Sequence, residues 1–132
     1  QLLEKNVRAQ LRYLSVDDRF VEMKLIDGPY QARFPFVKIE RSNIVAAIKP
    51  ISLSQERPEA IIEHANKWAY ALRRLRSAGK LPGNILLPTK MPEDGGKRTI
   101  AYQEAAAMLR DAGGQVVAER DTAALKSYVT QH

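Results

Sequence analysis

The chain has 132 residues, 45% of them hydrophobic and 27% charged, which suits one globular domain with a real core. There is no cysteine, so disulfides, thiolate metal sites and thiol catalysis are excluded. The net charge of +6 and a pI near 9.7 lean toward a polyanionic partner, most often nucleic acid, although a merely basic soluble protein carries the same charge.

No apolar run approaches the length of a membrane span, and no signal peptide is visible. The expectation is a cytoplasmic protein without a membrane partner. Because the chain opens on Gln1 rather than Met, it reads as a processed chain or a domain cut from a longer protein. The two histidines, His64 and His132, lie far apart, which argues against a histidine-rich metal site within one chain.

In chain order, Leu2, Leu3, Val7, Leu11 and Leu14 recur mostly every three or four residues, predicting an amphipathic helix over Gln1 to Leu14. Arg19 to Ile26 alternates and reads as a half-covered strand, with Val21, Met23 and Leu25 on one face and Glu22 and Lys24 on the other. Asp27-Gly28-Pro29 turns the chain. Ala32 to Ile39 is a second strand, with Pro35 marking an edge or a bulge. Glu40-Arg41-Ser42-Asn43 is a short polar hairpin loop. From Asn43 to Leu53 apolar residues fill both alternating sets of positions, which predicts a strand covered on both faces.

Pro58 to Ala78 carries the longest helical pattern, with Pro58 in its first turn and a cap region near Ser54. Its buried stripe is Ile61, Ile62, Ala65, Trp68, Ala69, Leu72 and Leu75. Gly79 and Pro82 end it. Asn84 to Leu87 is a short strand closed by Pro88, and Met91 to Lys97 a loop. Thr99 to Asp111 is an alanine-rich helix, Gln115 to Ala118 a strand, and Thr122 to Val129 a last helix. Early consecutive strands predict an antiparallel meander, and the later alternation of strand and helix predicts parallel pairing. The expected fold is α/β, a mixed β-sheet of about five strands flanked by helices.

Lys49 sits inside the covered strand. A lysine there is costly unless its ammonium reaches water, a carboxylate or a phosphate, so it either snorkels from the strand end or serves a charge. The layout, a helix, a strand meander whose third strand ends in lysine, then a long helix, resembles the restriction-endonuclease-like fold of the PD-(D/E)XK nuclease superfamily. That resemblance implies two strand carboxylates holding a divalent metal, with the lysine positioning water against a phosphodiester. It also implies an association with mobile elements, repair or phage defence. Lys49 matches the lysine, and Glu4 matches an accessory glutamate. Ala47 stands where the second acid belongs, and Phe34-Pro35-Phe36 where the first Asp belongs. The chain therefore reads as a degenerate member that needs no cofactor and binds nucleic acid, most naturally DNA.

Glu22-Met23-Lys24, with Asp27 nearby, supplies the rival reading: an active magnesium-dependent nuclease with Glu22 and Lys24, beside Lys49, in catalytic roles. The plainer account is the open face of an amphipathic strand. Lys67, Arg73, Arg74, Arg76 and Lys80 give the long helix a basic cluster, read either as complement to the helix dipole or, with Lys49, as a phosphate-binding surface. His64 reads as a packed or rim residue and Trp68 as a core anchor. Gly95-Gly96-Lys97 lacks P-loop spacing. A third reading, a dimerisation or interaction domain, rests on the small residues from Ala101 to Leu109.

Overall fold

The computed structural model describes residues 2–132. Helix α1 (Leu2–Tyr13) leads through a single 3-10 turn at Asp17–Arg19 into strands β1 (Val21–Asp27), β2 (Tyr30–Glu40) and β3 (Asn43–Ile48). There follow β4 (Ile51–Ser52), α2 (Pro58–Ser77), β5 (Ile85–Lys90), α3 (Lys97–Asp111), β6 (Gly114–Ala118) and α4 (Thr122–Gln131). The fold is α/β with a mixed, open, six-stranded sheet, one strand more than expected. The β1–β2 and β2–β3 pairs are antiparallel, while β5 runs parallel to β3 and β4 on one flank and to β6 on the other. No helix is long and apolar enough to cross a membrane among the described residues.

The sheet buries both faces because each carries its own apolar set. On one face Phe34, Ala47, Ile51, Ile85 and Leu87 pack with Ile61, Ala65, Trp68 and Leu72 of α2 and Ala101, Ala105 and Leu109 of α3. On the other, Phe36, Ala46, Ile48 and Leu86 pack with Val7 and Leu11 of α1 and Leu125 and Tyr128 of α4. Burying a Leu, Ile or Phe side chain contributes about 1.5–3 kcal/mol, so these two layers hold the fold together. Ala101 and Ala105 of α3 are packed in the core layer with α2.

The structure redraws several expected boundaries. The covered strand is interrupted: Lys49 and Pro50 separate β3 from β4, yet both strands keep pairing with β5, through Ile48 opposite Leu86 and Ile51 opposite Thr89. Pro88 does not close β5. Leu86 O accepts from Lys49 N–H (2.9 Å) and Lys90 O from Leu53 N–H (3.0 Å). Alternation therefore turns the missing donor of Pro88 toward the interruption, where no ladder bond is lost. Pro35 lies in a bulge of the internal strand β2, between the pairs Met23–Phe34 and Val21–Val37, and not at an edge. Helix α2 starts without a side-chain cap, on Arg57 and Pro58, and Ser54 plays no part as its cap. Helix α3 begins two residues earlier than its alanine pattern suggested.

Candidate functional site

The interruption after β3 places Lys49 where the sheet, α1 and α2 converge. Its side chain is only 7% exposed. The ammonium lies 4.1 Å from the centroid of the Trp68 ring, a cation–π contact. Trp68 is itself fixed edge-to-face against Phe34, with centroids 5.9 Å apart. Among the described residues, no carboxylate reaches salt-bridge distance of the Lys49 ammonium and no acceptor hydrogen-bonds it. Burial pushes its pKa down to about 8, with the Glu4 carboxylate pulling it up and Arg33 and Lys67 adding to the depression.

Glu4 comes from the first turn of α1 and is 8% exposed. Its carboxylate accepts two hydrogen bonds from Arg33 of β2, at 2.6 and 3.0 Å. Arg33 also donates to Glu22 of β1, at 2.9 and 2.6 Å. This fork-shaped pairing holds Glu4 below its usual pKa, against the opposing effect of burial. Arg33 thus occupies Glu4, the one acid whose charge acts on the lysine, and Glu22 of β1 as well.

Two concavities meet at Lys49, Lys67 and Trp68. The first, about 510 Å³, lies between β2 and α2 and is lined by Tyr30, Arg33 and Tyr70 as well as those three. The second, about 370 Å³, adds Ser52, His64 and Lys90. Among the described residues no carboxylate lines either one. Burial, then the charges of Lys67 and Lys49, lowers the pKa of His64, which keeps the imidazole neutral near pH 7. Tyr30 and Tyr70 stand edge-to-face at 5.4 Å.

The remaining residues singled out in the sequence scatter. Arg74 donates to Asp27 (2.9 Å) and Tyr70 (2.8 Å) and covers the Tyr30 ring at 4.9 Å, so it is a bound group that lines neither cavity at Lys49. Arg76 points inward: it donates to Ala112 O at 2.6 Å, closing the C-terminal end of α3, and leaves the basic cluster. Arg73 is exposed on α2 and lines neither cavity at Lys49. Lys24 and Lys80 line a separate cleft of about 400 Å³ between β1 and the end of α2. Glu22, Lys24 and Asp27 do not form a cation site, because Glu22 is held by Arg33 and Asp27 by Arg74.

The metal that the nuclease resemblance implies does not fit these residues. A hard divalent ion needs several oxygen ligands. At the two strand positions that would supply them, Phe34 and Ala47 are fully buried in the apolar layer beneath Trp68. Among the described residues no group of three or more acidic, histidine or cysteine side chains converges.

Sequence reasoning missed Arg33, Tyr30, Lys90 and the role of His64. For Arg33 there was a signal: alternation sets it beside Lys24 on the face away from Phe34. Lys90 carried none, since its place depends on β5 continuing past Pro88. No known family model matches the chain, and neither a curated protein nor a solved structure matches it.

Proposed function

We propose that this chain is a nucleic-acid-binding domain on a nuclease-like scaffold whose metal-holding positions have become apolar core. The observation that carries this reading is the Lys49 ammonium, unpaired among the described residues, at two clefts whose described lining holds no carboxylate. Desolvating a cation costs folding free energy, and a phosphate oxygen entering the clefts supplies a charged acceptor that the protein does not provide. Lys67 and Lys90 add charge at the same place, and Tyr30 and Tyr70 offer faces on which bases stack. The Ala47 and Phe34 substitutions favour binding without cleavage.

Fluorescence anisotropy with labelled DNA, run beside a plasmid-nicking assay with magnesium or manganese, tests this reading. Binding is expected without cutting, and binding should fall when Lys49 is replaced. Absence of binding at low salt would remove the reading. Metal-stimulated nicking that is lost in Glu22→Ala would replace it with the active-nuclease reading.

A further inference from the structure

We infer that the paired clefts receive a nucleoside monophosphate group at the phosphorylated end of a single strand, its phosphate in the cup of Lys49, Lys67, Lys90 and His64 and its base toward Tyr30 and Tyr70. This rests on the nucleic-acid reading above and specifies the form of the ligand. The first argument is depth. Lys49 is 7% exposed, so a duplex lying across the surface does not bring its backbone to the ammonium. The cavities, about 370 and 510 Å³, fall in the range that encloses small molecules. A single nucleotide enters such a space, whereas a paired one remains outside in its stack.

The second argument is charge. Among the described residues three lysines line the smaller cup and no acid does. Among the described residues none of the three ammoniums forms a salt bridge, although Arg33 and Arg74 close by are each paired to carboxylates. Like charges gathered without counter-charges match a dense anion. A terminal phosphate monoester carries nearly two negative charges at pH 7, against one for an internal diester. The third argument is continuity. Lys49, Lys67 and Trp68 line both spaces, so a phosphate in the cup and a base in the larger cleft lie against the same three side chains. The larger cleft brings the aromatic pair Tyr30–Tyr70, with Tyr70 half exposed.

The same chemistry is carried by a free mononucleotide, so the test separates the two sources. Anisotropy is measured with a labelled oligothymidylate bearing a terminal phosphate at the 5′ or the 3′ end. The comparison probes are the same strand with hydroxyl ends and a hairpin-closed duplex of matched length; dTMP and inorganic phosphate serve as competitors. The expected result is binding about ten-fold tighter for one phosphorylated strand than for the hydroxyl strand, the effect of roughly 1.4 kcal/mol. That preference should vanish in Lys49→Met and in Lys67→Ala. Lys67 is exposed, so its variant keeps the fold, and a thermal melt checks both proteins.

Equal affinity for all polynucleotide probes, unchanged in both variants, would overturn the end-binding inference and leave nucleic-acid binding standing. A preference for the duplex would do the same. Binding of dTMP alone, with no strand bound, would overturn the strand end as ligand and the function proposed above with it. No binding to any probe would likewise overturn both.

Discussion

A lysine only 7% exposed, its ammonium held against an indole, opposes folding. Its pKa falls from 10.5 to about 8, equivalent to a cost of about 3 kcal/mol while the group stays charged. Below pH 8 the lysine is charged in both folded and unfolded chains, and the whole cost is present. Between pH 8 and 10.5 the unfolded chain holds more protons than the folded one, so rising pH relieves the cost. Lys49→Met keeps the length of the side chain and suits the Trp68 ring. Urea melts should find the variant more stable at pH 7, by up to about 3 kcal/mol, with the gain shrinking toward pH 10. Nucleic-acid affinity should fall in the same variant. Glu4, Arg33, Lys67 and His64 face the same ammonium, and only Glu4 opposes its loss of charge. A variant that gains stability as it loses binding is the mark of a residue kept for its charge. A destabilised variant at pH 7 would mean that Lys49 is chiefly a packing element.

At the scale of elements, two local features govern how the strands present the site. The β2–β3 connection turns on Arg41 and Ser42, whose φ angles are +51° and +68°. A two-residue hairpin with both central residues left-handed suits Asn-Gly and strains most others. Arg41→Asn combined with Ser42→Gly should therefore stabilise the domain by about 1 kcal/mol, read as a rise in melting temperature with binding unchanged. The hairpin lies at the far end of β3 from Lys49, so an altered affinity would show that strain there reaches the site. The second feature is Tyr128 of α4. Its hydroxyl accepts Ala47 N–H at 3.1 Å and donates to Asn84 O at 2.8 Å, tying β3 to the start of β5 before their parallel pairing begins. This fixes the backbone two residues before Lys49. The polar groups it satisfies would otherwise be buried alone.

For the whole molecule, the net charge of +6 describes long-range attraction but not the contact. Part of the basic surface is neutralised locally: Arg33, Arg74 and Arg98 are all paired with acids. On the proposed function, the three lysines at the clefts, without salt bridges among the described residues, are the cations that meet the strand. On the inferred binding mode the cup neutralises one terminal phosphate of nearly two charges, so log affinity against log salt should have a shallow slope of about −1. Titrations at several salt concentrations measure it. A slope several times steeper would mean that the exposed charges of α2, Arg73 and Lys80 among them, carry the binding instead.

The order of elements, the mixed sheet and the buried stripe of α2 were legible in the sequence because they depend on periodicity within one segment. Ile61, Ala65, Trp68, Ala69, Leu72 and Leu75 face the core as their spacing requires. Lys49 was legible as a conflict, a charge amid apolar neighbours. Its resolution was not legible, because cation–π contact with Trp68, the diversion of Glu4 and Glu22 to Arg33, and the arrival of Lys90 depend on strands and helices far apart in the chain. The basic cluster of α2 likewise looked uniform by helical angle. Only packing against β1 and α3 divides it, turning Arg74 to Asp27 and Arg76 to Ala112 while leaving Lys67 at the clefts. The sequence by itself determined which residues must be covered, since burial follows local apolar patterning. Tertiary structure decided which charges remain unpaired, because pairing is a matter of distance across elements that no local pattern encodes.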